Sequence, residues 1–265
     1  MSASILQFGC GNMGGAMLAG WLAAGFDPAA FTVVDPMLAE APTGVRLLAA
    51  APDREVPADV VLLGFKPQQL AASAPAIRPH VGPSTLVLSI LAGTECAALR
   101  AHFPEAAAIV RVMPNLAAAL GKSPIALYGD ARGEARDRIE ALMAPLGPAE
   151  WLADEEAMHL VTALAGSGPA FLYRFIDALA EAATTLGFPR VQADRLALAM
   201  VDGAAALAAA SPDGPGELAR RVASPGGTTE AGLKMLDEQG RLVALLTDTL
   251  RGARDRSVEM TRRDA

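Results

Sequence analysis

Gly9-Cys10-Gly11-Asn12-Met13-Gly14 follows a short apolar run and opens a long uncharged stretch, an order that few folds can use. Read as strand, tight turn and helix, its glycines have separate tasks. The first permits the turn, the second leaves room for a pyrophosphate to approach the backbone, and the third lets the helix pack closely on the strand. Residues 4–8 are the expected strand and residues 13–24 the expected helix. Residues 5–26 carry no charge and are long enough to imitate a membrane span, with Gly11 and Gly15 imitating a membrane dimerisation motif. Six glycines and the lack of a basic leader favour a buried strand and a closely packed helix, so a cytoplasmic protein without a membrane segment is expected.

The strand–helix alternation continues. Apolar runs at 31–34, 60–64, 85–90, 108–111 and 125–128 read as buried strands, and the charged segment 134–143 reads as a helix. Such interleaving predicts a doubly wound parallel sheet of Rossmann type over residues 1–153. From about Asp154 strand signals stop, and Ala, Leu, Met, Glu and Arg recur at helical spacing. Helices are expected at 155–165, 169–186, 191–210, 228–239 and 242–262, with Pro169 in a first turn and Gly187 and Gly240 as stops. The fold class is therefore an α/β nucleotide domain followed by an all-α domain over 154–265. Hydrophobic residues make up 52% and aromatics only 5%, so small side chains allow close helix approach, including approach by a second copy.

A formal net charge of −7 and the absence of a long basic run argue against a nucleic-acid partner. Cys10 and Cys96 are the only cysteines, form no CxxC pair, and read as small core residues in a reducing compartment. His80, His102 and His159 are scattered without metal-ligand spacing, so no metal is expected.

Asp35 closes the second expected strand at the distance from the glycines where a carboxylate binds the free adenosine ribose and repels a 2′-phosphate; an Asp-Pro turn is the alternative. On the ribose reading, Asp35 favours NADH over NADPH. Lys66 and Pro67 follow another buried strand, where Lys66 either meets the cofactor or is a solvated surface charge. Ala92 and Gly93, and then Asn115, also follow strand ends and are candidates to line the nicotinamide pocket. Ser224-Pro225-Gly226-Gly227-Thr228-Thr229 places flexible backbone and two hydroxyls at a helix start, which reads either as a seat for a small carboxylate or as a helix cap.

Several segments together resemble pyrroline-5-carboxylate reductases. They are Phe8 to Gly14, Phe65-Lys66-Pro67-Gln68, Val112-Met113-Pro114-Asn115, Ala165-Gly166-Ser167-Gly168-Pro169-Ala170-Phe171 and Ser224 to Thr229, in family order over nearly the whole chain. The resemblance implies reduction of L-1-pyrroline-5-carboxylate to L-proline by NAD(P)H. It also implies a helical domain forming an intertwined dimer, often within a larger ring such as a decamer, with active sites shared between subunits. Cofactor contacts fall on Gly9, Cys10, Gly11, Asn12, Met13, Gly14, Asp35, Lys66, Pro67, Ala92, Gly93 and Asn115. Ser224, Gly226, Gly227 and Thr228 match the substrate turn, and Thr229 matches the active-site threonine beside the ring nitrogen. Glu155 aligns with an acidic residue near the substrate. Two departures stand out: Asp35, where many relatives carry serine or another neutral or basic group, and Leu116 in place of a threonine. Hydroxyacid dehydrogenases, which share this domain plan, carry a Gly-x-x-Gly-x-x-x-Lys pattern; Gly166-Ser167-Gly168-Pro169 is followed here by no such lysine.

Overall fold

The computed structural model describes residues 3–52 and 57–264. Its chain forms two compact units, residues 1–166 with 253–265, and residues 167–252. In the first unit, eight strands build one sheet: β1 (Ile5–Phe8), β2 (Phe31–Val34), β3 (Arg46–Leu48), β4 (Val60–Leu63), β5 (Leu86–Ser89), β6 (Ala108–Met113), β7 (Ile125–Gly129) and β8 (Ala149–Trp151). Their order is β3-β2-β1-β4-β5-β6-β7-β8. Successive residues of the central strands point to opposite faces, and both faces are covered. Ile5, Val60, Leu62 and Leu88 enter one core layer, while Leu6, Val61, Leu63 and Val87 enter the other. This explains why these strands are continuous apolar runs rather than alternating ones.

Helix α1 (Asn12–Ala23) docks through Trp21, which is fully buried, stacks on Phe31 at 5.7 Å, and donates from Nε1 to the Leu142 carbonyl at 2.7 Å. Helices α2 (Leu70–Ile77), α3 (Cys96–His102) and α4 (Glu134–Met143) complete the layers. The sheet is the expected doubly wound one, with a single departure from parallel pairing: β6 pairs antiparallel with β7, while every other pairing is parallel. Only a short 3-10 helix (Leu116–Leu120) lies between those two strands, in place of the α-helical crossover a parallel pair normally uses.

Helix α5 (Ala157–Val161) runs into a π-helical turn (Thr162–Gly166), so the single expected helix over 155–165 is divided. In the second unit, α6 (Gly168–Thr185) carries Pro169 in its first turn and is followed by Gly187 at φ +107°. Arg190 at the start of α7 (Arg190–Ala210) bonds to Asp177 of α6 at 2.6 Å. Helices α8 (Pro215–Val222) and α9 (Thr228–Asp237) follow, and α10 (Arg241–Asp264) begins in this unit and ends in the first. Among the described hydrophobic residues of the second unit, only Ala180 and Ala193 are fully buried. Tyr173, Phe175, Leu196, Leu198 and Leu207 all lie exposed on α6 and α7.

Candidate active site

Strands β1 and β4 are adjacent, and the chain turns to opposite sides of the sheet from them, so a crevice opens at their C-terminal ends. The glycines there do what the spacing requires. Gly9 sits at φ +84°, and a Cβ on it would stand 2.7 Å from the backbone of Gly64. A Cβ on Gly14 would meet Gln7 Nε2 at 2.7 Å and the Gly9 carbonyl at 2.9 Å. Gln7, fully buried in β1, donates from Nε2 to that same carbonyl at 3.0 Å and so supports the loop from beneath. Gly11 differs: a Cβ there would point into open space. Gly11 is also the N-cap of α1 and offers no capping side chain, and no acidic residue occupies the first turn. The free N–H groups of the helix start are left for an anionic group, and the missing Cβ lets it come close.

This loop borders a cleft of about 960 Å³ lined by Gly9, Gly11, Asn12, Met13, Asp35, Lys66, Pro67 and Ala92, among other residues. Eight residues expected at the cofactor therefore share one cavity. Asp35 directs both carboxylate oxygens at backbone: Oδ2 accepts the Cys10 N–H at 2.7 Å and Oδ1 the Met37 N–H at 2.9 Å. Carboxylate oxygens keep further lone pairs, so the group remains able to accept from a ribose hydroxyl. Lys66 is exposed on the cleft, and its backbone N–H is capped by Gln69 Oε1 at 3.0 Å.

Cys10, Gly14, Gly93 and Asn115 lie outside the lining. The Cys10 side chain belongs to the core beneath the loop, where burial and then the Asp35 charge push its thiol pKa up. Gly93, at φ +74°, packs under the C-terminal end of α10, with Thr261 Oγ1 3.1 Å from where its Cβ would be. Asn115 is buried and spends its side chain on the scaffold. Its Oδ1 accepts the Ala117 N–H at 2.9 Å, and its Nδ2 donates to the Ala165 carbonyl in the π-helical turn at 3.0 Å.

Glu155 has strong protein partners. Its Oε1 accepts from Arg111 Nη1 at 2.7 Å and from the Cys96 N–H at 2.8 Å, joining β6, the start of α3 and the approach to α5. The Arg111 side chain is only 6% exposed, so removing this carboxylate would leave a buried cation without its ion-pair partner. The Cys96 thiol beside it is pushed up to about 12, first by burial and then by the Glu155 charge. Sequence reading missed this node because its members lie 44 and 59 residues apart.

In the second unit, Ser224 to Thr229 forms a turn closed by the Gly227 N–H on the Ser224 carbonyl at 2.9 Å, with Gly226 at φ +71°. Gly227 is the N-cap of α9 and carries no side-chain cap, so Thr228 and Thr229 open the first helical turn. Arg220 pairs with Glu217, and Arg221 with Asp213 and Glu217. Among the described residues no cluster of His, Cys, Asp and Glu could hold a metal ion, and no single helix is long and apolar enough to cross a membrane.

A glycine cradle at the sheet's switch point, an uncapped helix start and an acid at the end of β2 define an NAD(P)-dependent oxidoreductase. Residues 4–93 match the family described as NADP oxidoreductase, coenzyme F420-dependent, and residues 155–260 match pyrroline-5-carboxylate reductase dimerisation. The chain belongs to the pyrroline-5-carboxylate reductase family. It is 36% identical over 268 residues to the pyrroline-5-carboxylate reductase of Pseudomonas aeruginosa, covering 98% of each chain. The solved pyrroline-5-carboxylate reductase of Coxiella burnetii superposes with a TM-score of 0.90 at 30% identity over 98% of both chains. The Plasmodium falciparum pyrroline carboxylate reductase solved with NADP bound shares the fold, with a TM-score of 0.82 at 23% identity over 98% of both chains.

Proposed function

We propose that this chain reduces L-1-pyrroline-5-carboxylate to L-proline, the last step of proline biosynthesis, using NADH in preference to NADPH. The observation that carries this reading is the glycine cradle of a family member whose helical unit keeps a Ser224–Thr229 turn leading into a helix with no side-chain cap at Gly227. The residues lining the cleft fit a dinucleotide: Gly11 clears the diphosphate, α1 supplies amides, and Asp35 faces the ribose position. When bound, the reduced nicotinamide supplies hydride to the ring carbon of the C=N bond.

The protein's own contribution is orientation. Ser224, Gly226, Gly227 and Thr228 form the seat for the substrate carboxylate, which the unpaired backbone N–H groups of the first turn of α9 hold. Thr229 sets its hydroxyl beside the ring nitrogen, orienting the imine and relaying a proton from water rather than acting as a free acid. Glu155 acts at a remove, fixing Arg111 and the first amide of α3. The exposed apolar faces of α6 and α7 support an intertwined dimer, extending to a ring such as a decamer, in which cleft and turn come from different subunits. A cytoplasmic location accords with two unpaired cysteines.

The test is oxidation of NADH on adding pyrroline-5-carboxylate, with proline identified as product. Cofactor binding without turnover would leave a dinucleotide sensor instead.

A further inference from the structure

The N–H of Gly226 already holds a carboxylate. Glu230, four residues on, returns its Oε2 to that amide at 2.6 Å. Glu230 lies in the first turn of α9, on the same amide-rich turn proposed to seat the substrate's carboxylate. Two carboxylates on one N–H repel and compete for a single donor, so the side chain must leave when the substrate enters.

A second partner stands ready for it. Glu230 and Lys234 both line a recess of about 610 Å³ together with Gly226 and Gly227. Lys234 is four residues C-terminal to Glu230 on the same helix, the orientation in which a Glu–Lys pair is most favourable. Both residues are exposed. Glu230 nevertheless bonds to the turn instead of to Lys234.

We infer that Glu230 is a built-in placeholder for the substrate carboxylate: it occupies the Gly226 amide in the empty enzyme and swings to Lys234 when the imino acid binds. The inference rests on the substrate turn proposed above. It makes Glu230 a residue that sets affinity for carboxylate-bearing imines by competition, with Lys234 as the partner that offsets its displacement.

The test measures KM and kcat for pyrroline-5-carboxylate on the full chain carrying Glu230→Ala, Glu230→Gln, Lys234→Ala and the Ala/Ala double substitution. Removing the competing charge should lower KM about threefold or more in both Glu230 variants, the effect lying in KM rather than kcat. Lys234→Ala should raise KM about threefold when Glu230 is present and leave it unmoved in the Glu230→Ala background. KM at or above the wild-type value in both Glu230 variants would overturn the placeholder. An equal rise on Lys234→Ala in both backgrounds would overturn the swing, because Lys234 would then be attracting substrate itself. Thr229→Ala run in parallel separates the two readings. If it keeps full turnover the substrate turn is misassigned; if it is impaired while the Glu230 variants behave as wild type, only the placeholder fails.

Discussion

Oδ2 of Asp35 accepts the backbone N–H of Cys10 at 2.7 Å, so the acid that follows β2 and lines the cleft also anchors the glycine-rich loop. Its other oxygen holds the Met37 N–H. On the ribose reading proposed above, cofactor choice and loop geometry share one side chain.

Asp35→Ser should therefore change two things together. Removing the charge that repels a 2′-phosphate should raise the NADPH-to-NADH ratio of kcat/KM about tenfold. Losing the acceptor for two amides should weaken use of NADH itself, at a cost of about 1–3 kcal/mol. Steady-state kinetics with both cofactors decides the matter, and a wild-type enzyme that already prefers NADPH strongly would refute the ribose assignment.

Thr229→Ala should lower turnover roughly tenfold to a hundredfold, equivalent to about 1–3 kcal/mol for one orienting hydrogen bond. NADH affinity, followed by fluorescence titration, should stay at the wild-type value. Undiminished kcat in the folded variant removes the hydroxyl from the reaction.

Glu155→Ala should cost about 2–4 kcal/mol of stability in denaturant titration, because it strands the buried Arg111 guanidinium and the first amide of α3. Replacing both members by apolar residues, Arg111→Met with Glu155→Leu, should be less damaging than Glu155→Ala alone. A double variant that is the less stable of the two contradicts this account.

Neither thiol should be reactive in the folded protein. Burial raises both pKa values, that of Cys96 to about 12, so at pH 8 both sulfurs stay overwhelmingly in the unreactive thiol form. Iodoacetamide followed by mass spectrometry should label both cysteines rapidly in denaturant and slowly without it. Fast native labelling of Cys96 would show the thiol to be more accessible than its burial implies.

Gly11 and Gly20 should respond oppositely to the same substitution. A Cβ on Gly20 would stand 2.2 Å from the Ala118 carbonyl oxygen, so Gly20→Ala should destabilise by about 2–4 kcal/mol despite alanine's better helix propensity. Gly11→Ala meets nothing and should melt close to wild type, yet weaken cofactor binding about tenfold by crowding the diphosphate. Thermal melts and NADH titrations of both variants check the contrast.

What was legible beforehand followed from strong local signals. β2 and α4 occupy the expected residues, and β1, β4 and β5 differ by one residue at an end or at both, because each is a long apolar or charged run between turn residues. β3 and β8 have three residues each, too few for a period, and exist only because β2 and β7 offer free edges. α2 was hidden by Pro75 inside it, and α3 and α8 by their brevity. The cradle was readable because each glycine has a local task. The bonds of Asp35 to Cys10 and of Glu155 to Cys96 were not, since each joins residues distant in sequence.

Helix α10 starts in one compact unit and finishes in the other, so the backbone passes between them at 166/167 and again at 252/253. The helical half is in effect a long insertion tethered at both ends. One peptide-bond scission within it cannot set it free, since each fragment stays covalently attached to a different strand or helix of the nucleotide-binding half. Two cuts are needed to release it, and proteolytic dissection will show the singly nicked, two-piece form before a fragment made of the helical half alone appears.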